Sequence, residues 1–457
     1  MRLLSFLALC TLTACMPSPQ AEVTKSYPNI DATGSNVVVI ENFSAAPGLV
    51  TQRSNAEMVQ DFLDLEFRME SGRALPVLTR FNGPITLAMA GAVPVTAPGD
   101  LARLISRFRA EAGLDVQIAA PGTAANITIN FESRAQLQNL VPSAACFVVP
   151  GVRTLAEYKA NRGTALVDWA LLNERRVASV FVPADTSPQE VRDCLHEELA
   201  QAMGPLNDLY RLPDSVFNDD NFHTVLTGFD MLALRVHYAP ELHNGMNEAD
   251  VASRVRAIYA RLNPAGERAG AAPGRIDPRA WIDAVAGALG PRGAPASRMQ
   301  SATRMLSIAK AQGWRDNRLG FSYFALGRLE LARDPQAAVA AFTEALRIYR
   351  TLPDGGLHAA HVNMQLAAIA LASGQSEQAI AFADKAIPVV ARAENAALLA
   401  TLMMIKSQAL GNLGHTAEAQ ALSLDSVGWA RYGFGAEYQV RAHSAEIAAL
   451  AARGNRG

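Results

Sequence analysis

Acidic and amide side chains at helical spacing, Glu197-Glu198-x-x-Gln201-x-x-Gly204-x-x-Asn207, are the part of this chain best placed to do chemistry. A zinc hydrolase needs two histidines one helical turn apart, with a glutamate beside the first to activate water. His196-Glu197 looks like the start of such a motif, but Ala200 stands four residues after His196. Shifted by one residue, Glu198 takes the place of the general base. Glu197 and Gln201 then take the places of the two helix histidines, and Asn207 or Asp208 that of a third ligand. Oxygen donors of this kind suit a harder divalent ion than zinc, if they hold a metal at all.

The element that must carry these groups is legible. Ser187 and Glu190 have capping-box spacing, Pro188 falls at the first helical position and Gly204-Pro205 ends the run, so a helix is expected over 188–203. Val191, Cys194, Leu195 and Ala202 form one apolar stripe with Glu198 in its middle. His196 falls almost opposite and cannot share a metal with Glu198. A carboxylate on a buried stripe is costly unless paired or protonated. Two readings fit. One is a metal or hydrolytic site; the other is a structural network joining Glu198 and Gln201 to Asn207, Asp208 or an arginine such as Arg235.

The shifted frame resembles the long metzincin pattern HExxHxxGxxH with its three ligands replaced and its glutamate and glycine kept. Thr227-Gly228-Phe229-Asp230 opens a further helix ending at Val236-His237-Tyr238, which is similar to the C-terminal helix of that group. Residues from about 145 to 250, with the run Cys194-x-x-Glu197-Glu198-x-x-Gln201-x-x-Gly204-x-x-Asn207-Asp208, resemble the proteobacterial family domain of unknown function 2927. Many members of that family are lipoproteins. The resemblance implies a fold and supplies no reaction. His196, His223, His237 and His243 match no ligand spacing and are read as surface or loop residues. His358 and His361 could hold an ion on one helix face, but they lack a third ligand.

The first residues imply export. Arg2, the apolar run Leu3–Leu12 and Leu12-Thr13-Ala14-Cys15 resemble a lipoprotein signal, with Cys15 as the lipidated residue; an ordinary signal peptide is the alternative. Met16 after the cysteine favours the outer membrane. Cys146 and Cys194 then remain in an oxidising compartment, where a disulfide between helix and strand is expected and two buried thiols are the alternative. Near-neutral net charge and the lack of a basic block argue against nucleic acid.

Strand-like runs at 36–40, 84–89, 126–131, 146–149 and 179–182 alternate with helical patterns at 55–70, 99–112 and 188–203. They predict a mixed α+β, zincin-like domain. Farther on, Ala338-x-x-x-Phe342-x-x-Ala345 recurs as Ala379-x-x-x-Ala383-x-x-Ala386 and Ala419-x-x-x-Ser423-x-x-Ser426. That spacing resembles tetratricopeptide-like repeats with turns at Asp334, Gly374 and Gly414. The expected organisation is a signal over 1–14, a tether over 15–35, the zincin-like domain over 36–250, a linker with one short helix over 251–300 and an all-α repeat domain over 301–457. Together these features describe an envelope lipoprotein, membrane-bound through Cys15, whose repeats bind a protein or peptide. No cofactor is expected, although a divalent metal is conceivable at the altered motif. The competing readings are a metal-dependent hydrolase with Glu198 as base and a purely structural adaptor.

Overall fold

The computed structural model describes residues 51, 53–142, 144–270, 277–290 and 293–454, with the backbone of Thr24–Ser26. The signal, Cys15 and the strand expected at 36–40 lie outside the described residues.

The N-terminal domain is mixed α+β. Its strands are β1 (Thr24–Ser26), β2 (Ile85–Gly91), β3 (Val116–Ile118), β4 (Ile127–Glu132), β5 (Ala144–Pro150) and β6 (Ala178–Pro183), in the order β1-β5-β6-β4-β2-β3. Strands β3, β2, β4 and β6 run parallel. Strand β5 runs against them and is edged by the short antiparallel β1, which falls within the stretch expected as tether. Pairing of Ile127 with Ala178 and of Pro150 with Ala178 puts the end of β5 beside the starts of the parallel strands.

Alternation along β5 sorts its side chains between two cores. Cys146 and Val148 face the main core with helices α1 (Asn55–Glu66), α2 (Ala97–Arg107) and α5 (Pro188–Met203). Phe147 and Val149 face a smaller cluster with Phe181 and with Leu137 and Tyr158 of helices α3 (Arg134–Gln138) and α4 (Leu155–Asn161). Helices α6 (Gly228–His237) and α7 (Glu248–Leu262) complete this domain.

The segment read as a linker is largely structured. Val251, Val255, Ile258 and Tyr259 of α7 lie in the main core, and α7 packs on α1. Helix α8 (Arg279–Leu289) pairs with α9 (Pro295–Ala311) and begins a stack that continues through α10 (Asn317–Glu330), α11 (Pro335–Tyr349), α12 (Gly356–Ala372), α13 (Ser376–Arg392), α14 (Ala396–Asn412), α15 (Thr416–Phe434) and α16 (Glu437–Gly454). This stack is consistent with a helical-repeat region. Ala338, Phe342, Ala345, Ala379, Ala383 and Ala386 are fully buried, as close helix approach requires. The third unit departs from the pattern: Ser423 is exposed, and α16 packs across α12, α14 and α15.

Among the described residues, no helix is long and apolar enough to cross a membrane.

Candidate functional site

Helix α5 spans Pro188–Met203, the range its end signals imply. Ser187 accepts a hydrogen bond from the Glu190 N–H, while the Glu190 carboxylate also engages Arg134 and Thr186. Its other end stops at Gly204, where an added Cβ would lie 2.7 Å from Leu234 Cδ2 of α6. A side chain here would require Leu234 to shift.

The amphipathic reading of α5 needs correction, because all sixteen of its residues are buried. One side packs on β5 and β6, and Cys194 is disulfide-bonded to Cys146 of β5. The polar side is covered by the C-terminal stack. Gln189 donates to Asn395 and accepts from the Ala397 N–H at 2.8 Å. Arg192 donates to the Glu394 carbonyl at 2.7 Å and lies over the Tyr432 ring. Tyr432 of α15 in turn donates to Asp100 of α2 at 2.9 Å, and burial raises the pKa of that carboxyl. The polar residues that sequence periodicity assigns to solvent are therefore an interface between domains.

Glu198 and Gln201 are wholly inaccessible to solvent, and Glu197 is nearly so. Gln201 has both side-chain polar atoms buried without a hydrogen-bond partner among the described residues. Asn207 donates to the Asp64 carbonyl of α1 at 2.9 Å, and Asp208 follows it in the same loop. Among the described residues, no group of three or more His, Cys, Asp or Glu side chains is arranged to hold a metal ion. The oxygen donors of the motif also lack the imidazoles that favour zinc, so no metal-dependent step is derived from them.

Arg235 is exposed on the outer side of α6, so it does not enter the structural network suggested for Glu198 and Gln201. An arginine that reaches the C-terminal end of this helix is Arg175, from the segment before β6. It donates to the carbonyls of Gln201, Ala202 and Gly204 at 2.8, 2.9 and 2.6 Å. A buried cation thereby satisfies the carbonyl end of α5 and complements its dipole. Burial lowers its pKa, partly offset by Tyr238 and Glu66. Nothing in the local sequence signals this role, because Arg175 lies 26 positions from its first partner.

The histidines are also more deeply placed than expected. His196 is buried and accepts from the Leu226 N–H at 3.1 Å. His237 is buried and meets Glu66 of α1 at 2.8 Å; its pKa is lowered by desolvation against the opposing pull of Glu66. Of the four between 196 and 243, His243 alone is exposed.

The loop from Gly204 to Thr227 ties these parts together. Arg211 pairs with Asp61 and Asp64 of α1 at 2.6 and 2.7 Å, and Arg53 with Asp61 and Asp214. Asp230 accepts from the N–H groups of Val216 and Thr227, and burial raises its pKa to about 6. The far side of the loop enters the helical stack. Tyr210 and Phe222 belong to the same apolar cluster as Trp281, Phe321, Phe324 and Tyr349. His358 meets Asp220 at 2.9 Å, while His361 packs on Phe222.

Residues 55–257 match a family described as protein of unknown function (DUF2927). The match runs from the start of α1 into α7, so it includes the elements N-terminal to the stretch in which the resemblance is legible. Among curated proteins, no sequence matches the chain.

Proposed function

We propose that the chain is an exported lipoprotein, held to the envelope membrane through Cys15 and facing the periplasm, with the outer membrane favoured. In this reading its zincin-like domain no longer catalyses, and its tetratricopeptide-like stack binds a protein or peptide. The supporting observation is the complete burial of α5 between the sheet and the helices carrying Asn395 and Tyr432. A hydrolytic base must meet its substrate and a water molecule. Glu198 is wholly inaccessible to solvent, which supports the non-catalytic reading.

The second reading, a metal-dependent hydrolase with Glu198 as base and Glu197, Gln201, Asn207 or Asp208 as ligands, draws on one fact. The buried amide of Gln201 has no hydrogen-bond partner among the described residues, an arrangement that folded proteins seldom leave unexplained.

Metal analysis separates the two. Full-length protein, purified and dialysed without chelator, is expected to carry far less than one equivalent of any divalent ion. Near-stoichiometric metal that is lost in Gln201→Leu would overturn the binding-protein reading.

A further inference from the structure

The helical stack already holds one extended segment, the loop of its own chain. Between Gly204 and Thr227 the chain forms neither helix nor strand. Loops of this length inside a compact fold are usually functional. The stretch from Tyr210 to Phe222 lies against the first helix of three successive pairs, α8–α9, α10–α11 and α12–α13.

Two kinds of contact hold it. Asn317, the first residue of α10, donates its side-chain amide to the carbonyls of Tyr210 and Leu212, and Asp277 accepts from the Tyr210 N–H at 3.1 Å. The main chain of the loop is thus held by side chains of the stack. The aromatic rings supply the second kind. Tyr210 stands edge-on to Trp281 with centroids 5.0 Å apart, and the Phe222 ring lies 4.5 Å from that of His361. Between Asp220 and Phe222, Asn221 adopts a left-handed backbone with φ 59°, which asparagine tolerates. Both of its neighbours meet His358 of α12. Aromatic anchors seated in buried pockets carry much of the energy of protein recognition.

The loop does not satisfy the surface that holds it. Asn317 Oδ1, Tyr349 Oη, His358 Nδ1 and His361 Nε2 are buried with no hydrogen-bond partner among the described residues. A junction that served only to dock two domains would leave few such groups. Here they gather around one loop, and a ligand with better-placed polar atoms would bind this surface more tightly than the loop does.

We propose that this surface is the peptide-binding site of the stack and that the loop is its autoinhibitory occupant, displaced by a partner segment carrying an acidic residue two positions before an aromatic one, as Asp220 and Phe222 are placed. The inference rests on the reading of the stack as a binding domain. A short flexible tether gives a bound segment an effective concentration of about millimolar, so a free peptide of equal affinity competes poorly with it.

Fluorescence anisotropy of a labelled peptide copying residues 209–224 tests this on the full chain in detergent. Phe222→Ala in the protein weakens the occupant, and its affinity for the peptide is expected to exceed that of the wild type by at least about tenfold. The same peptide with Phe222→Ala should lose that gain. Asp220→Asn keeps the shape of the loop and removes the charge facing His358; it should raise affinity in the same direction, and it decides the matter if Phe222→Ala does not fold. Equal affinity of wild type and folded variant, or no binding to either, would show that the loop only docks two domains. Binding that ignores the phenylalanine of the peptide would refute the aromatic anchor. Either result leaves the stack free to bind a partner elsewhere. Near-stoichiometric divalent metal in the same preparation would instead sink the binding-protein reading, and this inference with it.

Discussion

His358 of α12 meets the carboxylate of Asp220 at 2.9 Å, joining residues 138 positions apart and two different domains. The same carboxylate oxygen accepts from Asn218 at 2.8 Å, and Phe222 packs edge-on against the His358 ring. A loop that begins at the end of α5 is thereby built into the helical stack.

Phe222→Ala should weaken that junction. Phe222 is buried among Phe321, Phe324, Tyr349 and His361, and truncating a core phenylalanine costs about 3–5 kcal/mol. Urea denaturation is expected to show a lower midpoint, or a split transition as the two domains uncouple. An unchanged single transition would show that the loop contributes little to their docking.

The junction should also weaken in acid. Burial above all, then His358, lowers the His223 pKa to about 4, against the pull of Asp220, Asp214 and the Pro213 carbonyl. Burial, then His358, His223 and Arg328, lowers His361 to about 3. In the unfolded chain histidine titrates near 6.5, so the unfolded state binds more protons below that pH. Stability from these groups is complete above about pH 6.5 and falls towards pH 4. Asp230 and Asp354, both raised to about 6 chiefly by burial, act in the opposite sense, favouring the folded state as pH falls through that value. The informative measurement is therefore a difference. Between about pH 7 and pH 5 the wild type should lose more stability than His361→Gln. Equal losses would remove His361 from the account.

Arg175→Met should lower thermal stability sharply. It removes three charge-assisted hydrogen bonds to buried carbonyls at the end of α5. Leaving such groups unsatisfied costs about 1–3 kcal/mol each, less whatever the loop recovers by relaxing. A Tm within error of the wild type would show that water replaces the guanidinium.

The disulfide gives a fourth expectation. Cys146 and Cys194 close a loop of 48 positions, worth about 4 kcal/mol by chain entropy. The double variant Cys146→Ala/Cys194→Ala should unfold at correspondingly lower denaturant, and added reductant should lower the midpoint of the wild type while leaving that of the variant unchanged.

Local signals served the sequence well where they were strong. The cap at Ser187, Pro188 and the stop at Gly204-Pro205 set the limits of α5, and runs of Val, Ile and Phe located β2, β4, β5 and β6. The short β3 was not legible because three residues carry no usable period. Helix α7 was hidden by the Gly- and Pro-rich composition that follows it. The surroundings of α5 were the larger omission. Periodicity can separate an apolar face from a polar one, but it cannot say that the polar face will be covered by another domain. Neither Glu394 nor Arg175 could be connected with that helix from spacing alone.

Tyr210 and Phe222 sit among Trp281, Phe321 and Tyr349, so the boundary of the family match at residue 257 divides one apolar cluster between two stretches of chain. Homology and cooperativity mark out different units here. A fragment cut at that boundary would expose aromatic side chains on both pieces, and each would gain a sticky surface that the intact protein does not have. Inheritance of the N-terminal domain with a different C-terminal partner would require a new set of residues to receive Tyr210 and Phe222.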